Sequence, residues 1–306
     1  MKTAFLLNPR AKKGTGIYRW YANSSEIKRL FPEHESFAPA DAHELRKTLA
    51  TLAEQRYHKL IIVGGDGTVN RVLNVLLGEF PDFAKEVLLG VLPMGTGNDL
   101  ARSAGFTRSI QKNLEILQRG HSTKIDVGKV TYTTHTKKQH TGYFINMLTV
   151  GVSTLAVEAM SEATSPSPFS YLGVLVKKLT HYTPPAIRMY AQEKLVYSGP
   201  ILIICIANGR YAGGGIPLLP TAALHDGKFH SLIIKTMPIW KQLLLLPFLR
   251  IGQQPFRERI LCITNQVRIE AELPQVAFEV DGELPGCLPL EITCIHQAIH
   301  LIQNLP

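Results

Sequence analysis

Three short segments combine glycines with polar residues directly behind apolar runs. They are Asn8-Pro9-Arg10-Ala11-Lys12-Lys13-Gly14-Thr15-Gly16, Gly64-Gly65-Asp66-Gly67-Thr68 and Pro93-Met94-Gly95-Thr96-Gly97-Asn98-Asp99. Glycine lets backbone N–H groups approach a ligand with no Cβ in the way. Thr68 and Asn98 stand where an N-cap would open the next helix, whose free N–H groups and dipole favour anions. If the preceding runs are parallel strands, their C-terminal ends share one sheet edge and the three turns converge on one crevice. Such a crevice suits a phosphate chain. Any one turn alone reads more simply as a tight turn; the three together point to the ligand. No Gly-x-x-x-x-Gly-Lys-Ser/Thr occurs, and no complete Gly-x-Gly-x-x-Gly follows a strand, which argues against a Walker-type site and ordinary NAD binding.

Two of the turns carry acids, Asp66 and Asp99. A carboxylate beside phosphates repels them unless a divalent cation lies between, directly or through water. Asp126, ending Lys124-Ile125-Asp126, is a third acid. Read singly, Asp99 is a helix cap and Asp126 a solvated strand end. Taken together the three suggest Mg²⁺ held mainly through water.

The elements that position these residues alternate. Ala4–Leu7, Leu60–Val63 and Val87–Leu92 are short continuous apolar runs, as strands buried on both faces of a parallel sheet read. Between them, Asp41–Gln55 places Leu45, Leu49 and Leu52 on one helical stripe, and Val69–Leu77 does the same with Val72, Leu73, Leu76 and Leu77. This predicts a Rossmann-like open α/β domain over residues 1–126. From 127 to 294 short strand-like segments dominate, punctuated by Asn208-Gly209, Asp226-Gly227 and Asp281-Gly282. They predict an antiparallel β-sandwich domain or barrel. Helices are expected only at 155–163 and 171–180. The sequence leaves open whether 295–306 returns to the first domain.

The chain has 306 residues, 45% hydrophobic and 19% charged, with a formal charge of +9. These values exclude a largely disordered or low-complexity chain and suit two domains. Cys205, Cys262, Cys287 and Cys294 never form Cys-x-x-Cys, so neither a disulfide scaffold nor a cysteine zinc site is expected, and a reducing cytoplasm fits. The longest greasy stretch, Leu243–Leu249, contains Pro247 and falls far short of the roughly 20 residues that span a bilayer. The positive balance suits an anionic partner, but the basic residues are scattered and no nucleic-acid motif appears, so nucleic acid is not expected.

Gly64-Gly65-Asp66-Gly67-Thr68, Pro93-Met94-Gly95-Thr96-Gly97-Asn98-Asp99 and the late Asp281-Gly282-Glu283, with Asn208-Gly209-Arg210 and Gly213-Gly214-Gly215, resemble the diacylglycerol kinase catalytic family. The likeness is to its soluble bacterial lipid kinases, relatives of sphingosine and ceramide kinases, and runs nearly end to end. It implies an ATP- and Mg²⁺-dependent lipid kinase, cytoplasmic and peripheral at the membrane, most simply converting diacylglycerol to phosphatidic acid. It implies that Asn8, Gly64, Gly65, Gly67, Thr68, Gly95, Thr96, Gly97 and Asn98 hold the nucleotide. Asp66, Asp99 and Asp126 would organise the magnesium–water network, with Arg102 as a functional arginine. Glu283 would be the general base with Asp281 beside it; without the resemblance, Phe278–Glu283 is a hairpin turn.

Other readings stay open at this level. Another lipid (sphingoid base, ceramide, polyprenol) or a soluble metabolite, as in NAD kinases, could be the acceptor, and a basic nucleotide-binding module is the non-enzyme alternative. NAD kinases share the Gly-Gly-Asp-Gly-Thr turn but lack the Pro-x-Gly-Thr-Gly-Asn-Asp arrangement. Lys12 and Lys13 could touch phosphates or membrane. The Tyr171–Thr180 segment reads as a membrane contact or an ordinary packed helix, and Asp226-Gly227-Lys228 as a hairpin or a structural-metal turn. A homodimer is left open.

Overall fold

The computed structural model describes residues 2–9, 15–134, 138–162, 178–179, 182–238, 240–242, 248, 251–253, 259–273 and 275–304. Lys12, Lys13, Gly14 and His135 lie outside them, as does the Tyr171–Thr180 segment except for Lys178 and Leu179.

The first half builds a parallel sheet from the apolar runs. β1 (Thr3–Leu7) lies between β2 (His34–Phe37) and β3 (Lys59–Gly64), and β3 pairs with β4 (Leu88–Pro93), all parallel. β1 and β3 are buried along their whole length, as their unbroken apolar sequence requires. The helices of this half include α1 (Thr15–Ala22), α2 (Ser24–Leu30), α3 (Ala42–Glu54), α5 (Pro81–Glu86) and α7 (Ile110–Arg119). Helix α3 packs Leu45, Leu49 and Leu52 inward, and Asp41 caps it by accepting hydrogen bonds from the N–H groups of His43 and Glu44. Helix α4 (Asp66–Glu79) starts inside the second glycine turn, three residues earlier than the apolar stripe suggests. Its N-cap is Gly65, and Thr68 sits in the first turn rather than capping it.

The second half is antiparallel. β7 (Met147–Gly151), β9 (Lys194–Ala207), β8 (Ala186–Ala191), β12 (Gln266–Ala271), β14 (Glu283–Ile302) and β13 (Ala277–Val280) pair in that order, and β13 pairs back to β7. The wrap is filled by a separate core that includes Leu148, Val150, Met189, Ile204, Ile269, Phe278, Val280 and Leu290. β10 (Phe229–Lys235) and β11 (Arg259–Thr264) extend it beyond β9, while β5 (Ser122–Thr133) pairs with β14 and β6 (Gln139–Phe144) with β5.

β14 joins the halves. It runs antiparallel to β5 along most of its length, then pairs parallel with β4 through His300↔Leu88 and Leu301↔Leu89. Ile299, Leu301 and Ile302 complete the core of the first sheet. A second tie runs from α4. Asn70 and Asn74 both donate to the backbone carbonyl of Tyr143, and Asn74 Oδ1 accepts the Tyr143 N–H at 2.8 Å. The four cysteines are free thiols.

Candidate active site

The two acid-bearing turns touch backbone to backbone. A Cβ on Gly95 would lie 2.4 Å from the Gly65 Cα, so neither turn tolerates a side chain at the contact. Asn98 fastens the third turn from within, its Oδ1 accepting the Gly95 N–H at 2.9 Å and its Nδ2 donating to the Gly95 carbonyl. Asn98 holds φ +56° and precedes helix α6 (Asp99–Ser103), but its own side chain does not cap it. Asp66 does so from across the crevice, accepting the N–H groups of Asp99 and Leu100, both at 3.1 Å. Asp66 therefore fixes the distance between the second and third turns. Asn8, at the end of β1, donates to Thr68 Oγ1 at 2.7 Å and brings the first strand to the same edge. Thr96 stands exposed at the tip of the third turn.

Asp99 is 6% exposed and lies beside Asp66. Its Oδ2 accepts the Gly214 N–H and its Oδ1 the Arg102 guanidinium, each at 2.9 Å. Burial pushes the Asp99 carboxyl up despite the Gly214 bond, and the neighbouring Asp66 charge pushes it further. Arg102 also lies over the Tyr211 ring, 5.7 Å from its centroid, so it ties α6 to the loop holding Gly213–Gly215. Two adjacent carboxylates, of which Arg102 pairs with Asp99, match what a divalent ion would relieve. Among the described residues no three His, Cys, Asp or Glu side chains converge on a metal position. Such an ion would therefore take further ligands from phosphate and water, as Mg²⁺ does.

The second domain supplies the opposite wall. Glu283 opens β14, and its Oε1 comes within 3.1 Å of the place where a Gly67 side chain would begin. Asp281 is buried, with every acceptor position engaged. Oδ1 accepts the N–H groups of Asn146 and Met147, and Oδ2 those of Ile145 and the Asn70 side chain, at 2.9–3.2 Å. Burial raises its carboxyl to about 6 against the pull of those donors. Asp281 is thus the clamp that fixes the Glu283 turn to residues 145–147 and to α4. Asp281→Ala would take this acceptor from three backbone N–H groups and from the Asn70 amide, which keeps only its bond to the Tyr143 carbonyl, and should lower the unfolding free energy by about 2–5 kcal/mol in urea titration.

Asp126 joins a different set. Its Oδ1 accepts the Gln297 N–H and bonds His296 Nδ1 at 2.7 Å, and its Oδ2 accepts the Gly227 N–H at 2.6 Å. It braces the junction of β5, β14 and the Asp226-Gly227 turn, and among the described residues its bonds go to Gly227, His296 and Gln297 rather than to Asp66 or Asp99. Asp226 in turn engages His230 Nε2 and the Lys228 N–H. Lys178 pairs with Glu158 at 2.8 Å.

A cavity of about 520 Å³ opens between the halves. Asn8, Thr68, Asn70 and Glu283 are among its polar lining residues, and Leu6, Pro39, Leu45, Val75, Val130 and Tyr132 among its apolar ones. The residues that sequence reasoning passes over are Asn70, Asn74 and Glu279. The asparagines had a signal, being polar positions inside the apolar stripe of α4. Glu279 had none, since a charged residue alternating with Phe278 and Val280 reads as a solvent-facing strand position.

The chain matches the model of the diacylglycerol kinase catalytic domain over residues 2–130. It also matches that of the YegS C-terminal NAD kinase beta sandwich-like domain over residues 146–303. It belongs to the diacylglycerol kinase family. A diacylglycerol kinase of Staphylococcus aureus (strain bovine RF122 / ET3-1) is 30% identical over 91% of this chain and 88% of its own. That of Staphylococcus carnosus (strain TM300) is 26% identical over 95% and 94%. The crystal structure of a putative diacylglycerol kinase from Bacillus anthracis str. Sterne superposes with a TM-score of 0.73 at 19% identity, covering 99% of this chain and 97% of that one. The fold is therefore the expected α/β domain followed by a sandwich-like β domain, and the protein is a lipid kinase. The kinase's glycine turns and Glu283 face one another across the junction of the two matched regions.

Proposed function

We propose that this kinase transfers the γ-phosphoryl group of ATP, with Mg²⁺, to the free hydroxyl of diacylglycerol, forming phosphatidic acid. The observation that carries the reading is the approach of Glu283 from the second domain to Gly67, beside the touching acid-bearing turns. The named substrate of the relatives supports diacylglycerol as acceptor.

ATP lies along the cavity with its phosphates toward Gly65, Gly67, Thr68 and Gly97. Asp66 and Asp99 would hold Mg²⁺, which supplies charge neutralisation on the phosphates. Phosphoryl transfer needs positioning more than covalent help. Asn98, Gly95 and the Asp66 cap fix the turns, so the N–H groups need not reorganise during reaction. Glu283 accepts the proton of the lipid hydroxyl as its oxygen bonds to the γ-phosphorus and the bond to the β-phosphate oxygen breaks, releasing ADP. Arg102 holds Asp99 in place and Asp281 holds the Glu283 turn.

No helix among the described residues is long and apolar enough to cross a membrane. The lipid is met at a membrane surface, where basic side chains contribute roughly 1 kcal/mol each against anionic headgroups. NAD is the rival acceptor, because the second domain resembles that of NAD kinases in fold. Transfer of labelled phosphate from ATP to diacylglycerol, sphingosine, ceramide, polyprenol and NAD, with and without Mg²⁺, decides between them. Label on diacylglycerol only when Mg²⁺ is present is the expected result; label on NAD alone would overturn the reading.

A further inference from the structure

Glu279 leaves β13 on the face opposite Phe278 and Val280, which fill the barrel-like core. Directly across the ladder stands Thr149 of β7, whose hydroxyl donates to Glu279 Oε2. Thr149 Oγ1 is 2.6 Å from Ser153 Oγ, the first residue of helix α8 (Ser153–Glu162). With the Thr149 proton committed to the carboxylate, Ser153 is the donor to Thr149. The other carboxylate oxygen, Oε1, accepts the Gly282 N–H at 2.8 Å. A hydrogen-bonded chain therefore runs Ser153–Thr149–Glu279–Gly282 and ends one residue before Glu283.

The turn at its end needs holding. Asp281 and Gly282 have φ of +46° and +92°, and the first is costly for a residue with a Cβ. Asp281 clamps the turn from the α4 side; Glu279 closes it from the opposite face. Among the described residues Glu279 has no ion-pair partner. Burial pushes its carboxyl up to about 7, with Asp281 and Asp99 adding to the effect while Thr149 and Gly282 oppose it.

We propose that Glu279 is a positioning residue for phosphoryl transfer: through the Gly282 N–H it sets where the Glu283 carboxylate stands, and through Thr149 and Ser153 it anchors that placement to α8. The inference rests on the lipid kinase reading with Glu283 as base. It separates Glu279 from a proton carrier, because only the oxygen that meets Gly282 is required. A glutamine keeps that oxygen and can donate its amide to Thr149 Oγ1, whose own proton then turns to Ser153. A methionine of similar length keeps neither bond.

The test compares Glu279→Gln, Glu279→Met, Glu283→Gln and the double variant Glu279→Met/Glu283→Gln with wild type, reading kcat and KM for ATP and for diacylglycerol in mixed micelles, and the melting temperature. Glu279→Met should lower kcat at least about tenfold with KM for ATP within about twofold, in a protein that thermal melting shows to be folded at the assay temperature. Glu279→Gln should keep at least about a third of wild-type kcat. In the Glu283→Gln background Glu279→Met should have no further effect, since nothing remains to be positioned. Glu279→Met turning over like wild type overturns the proposal alone. So does Glu279→Gln falling as far as Glu279→Met, which makes the carboxylate itself the acting group, or an undiminished effect in the double variant. A Glu283→Gln enzyme as fast as wild type removes the base, and a wild type that labels no lipid removes the kinase reading; either takes the proposal with it.

Discussion

Asp66→Asn is expected to slow phosphoryl transfer by at least about 10²-fold while the protein stays folded, because a bound cation contributes several kcal/mol of charge stabilisation and each 1.36 kcal/mol is a factor of ten. The asparagine keeps one oxygen, enough to accept one of the two N–H groups at the start of α6. Asp66→Ala loses both and should cost a further 0.5–2 kcal/mol or about that in fold stability, the usual loss of a helix cap. The pair thus separates two roles of one side chain. If the charge matters, the two variants are equally slow and differ only in melting temperature. An Asp66→Asn enzyme with wild-type turnover would show that the carboxylate is a cap alone.

Glu283→Gln should lower kcat by about 10²–10⁴-fold, the ordinary contribution of a positioned base, with ATP affinity unchanged. Glutamine preserves the length and the approach to Gly67, so the first turn of α4 is undisturbed. The Glu283 side chain is exposed, and among the described residues the side-chain bonds that hold its turn come from Asp281 and Glu279. Loss of turnover without loss of stability is the signature to look for in steady-state kinetics beside thermal melting. A parallel fall in both would mean that the residue holds structure rather than moving a proton.

Much of the scaffold could be read from composition and spacing, for identifiable reasons. β1, β3 and β4 are unbroken apolar runs, and Leu45, Leu49 and Leu52 mark α3 by period alone. β2 escaped because His34-Glu35-Ser36-Phe37 is an edge strand with no apolar alternation, placed by its parallel pairing to β1 and by the contacts of Glu35 and Phe37 with Tyr57. β14 reads as a strand only at Leu290–Cys294, since Pro285, Gly286 and Pro289 interrupt the pattern; its partners β4, β5, β12 and β13 extend it to twenty residues. The start of α4 was hidden by Gly67, a poor helix residue tolerated in a first turn that Gly65 opens.

The site was legible in its acids and glycines and illegible in its partners. Asp66, Asp99 and Glu283 announce themselves by neighbouring glycines, but nothing local says that Asp66 caps a helix 33 residues onward. The clamp of Asp281 on Ile145–Met147 spans about 135 residues and is set by the pairing of β13 with β7. Asp126 looks like Asp66 and Asp99 as a lone acid behind an apolar run; its bonds to Gly227, His296 and Gln297 depend on where β14 bends.

Calorimetric titration of ATP into wild type and Asp66→Asn, each with and without Mg²⁺, addresses the shared role of the acids most directly. Wild type should bind ATP tightly only with Mg²⁺. Asp66→Asn should narrow the difference, gaining affinity for metal-free ATP as one repelling charge disappears and losing most of the Mg²⁺ enhancement. Equal ATP affinity in all four titrations would contradict a cation-bridged phosphate site between Asp66 and Asp99.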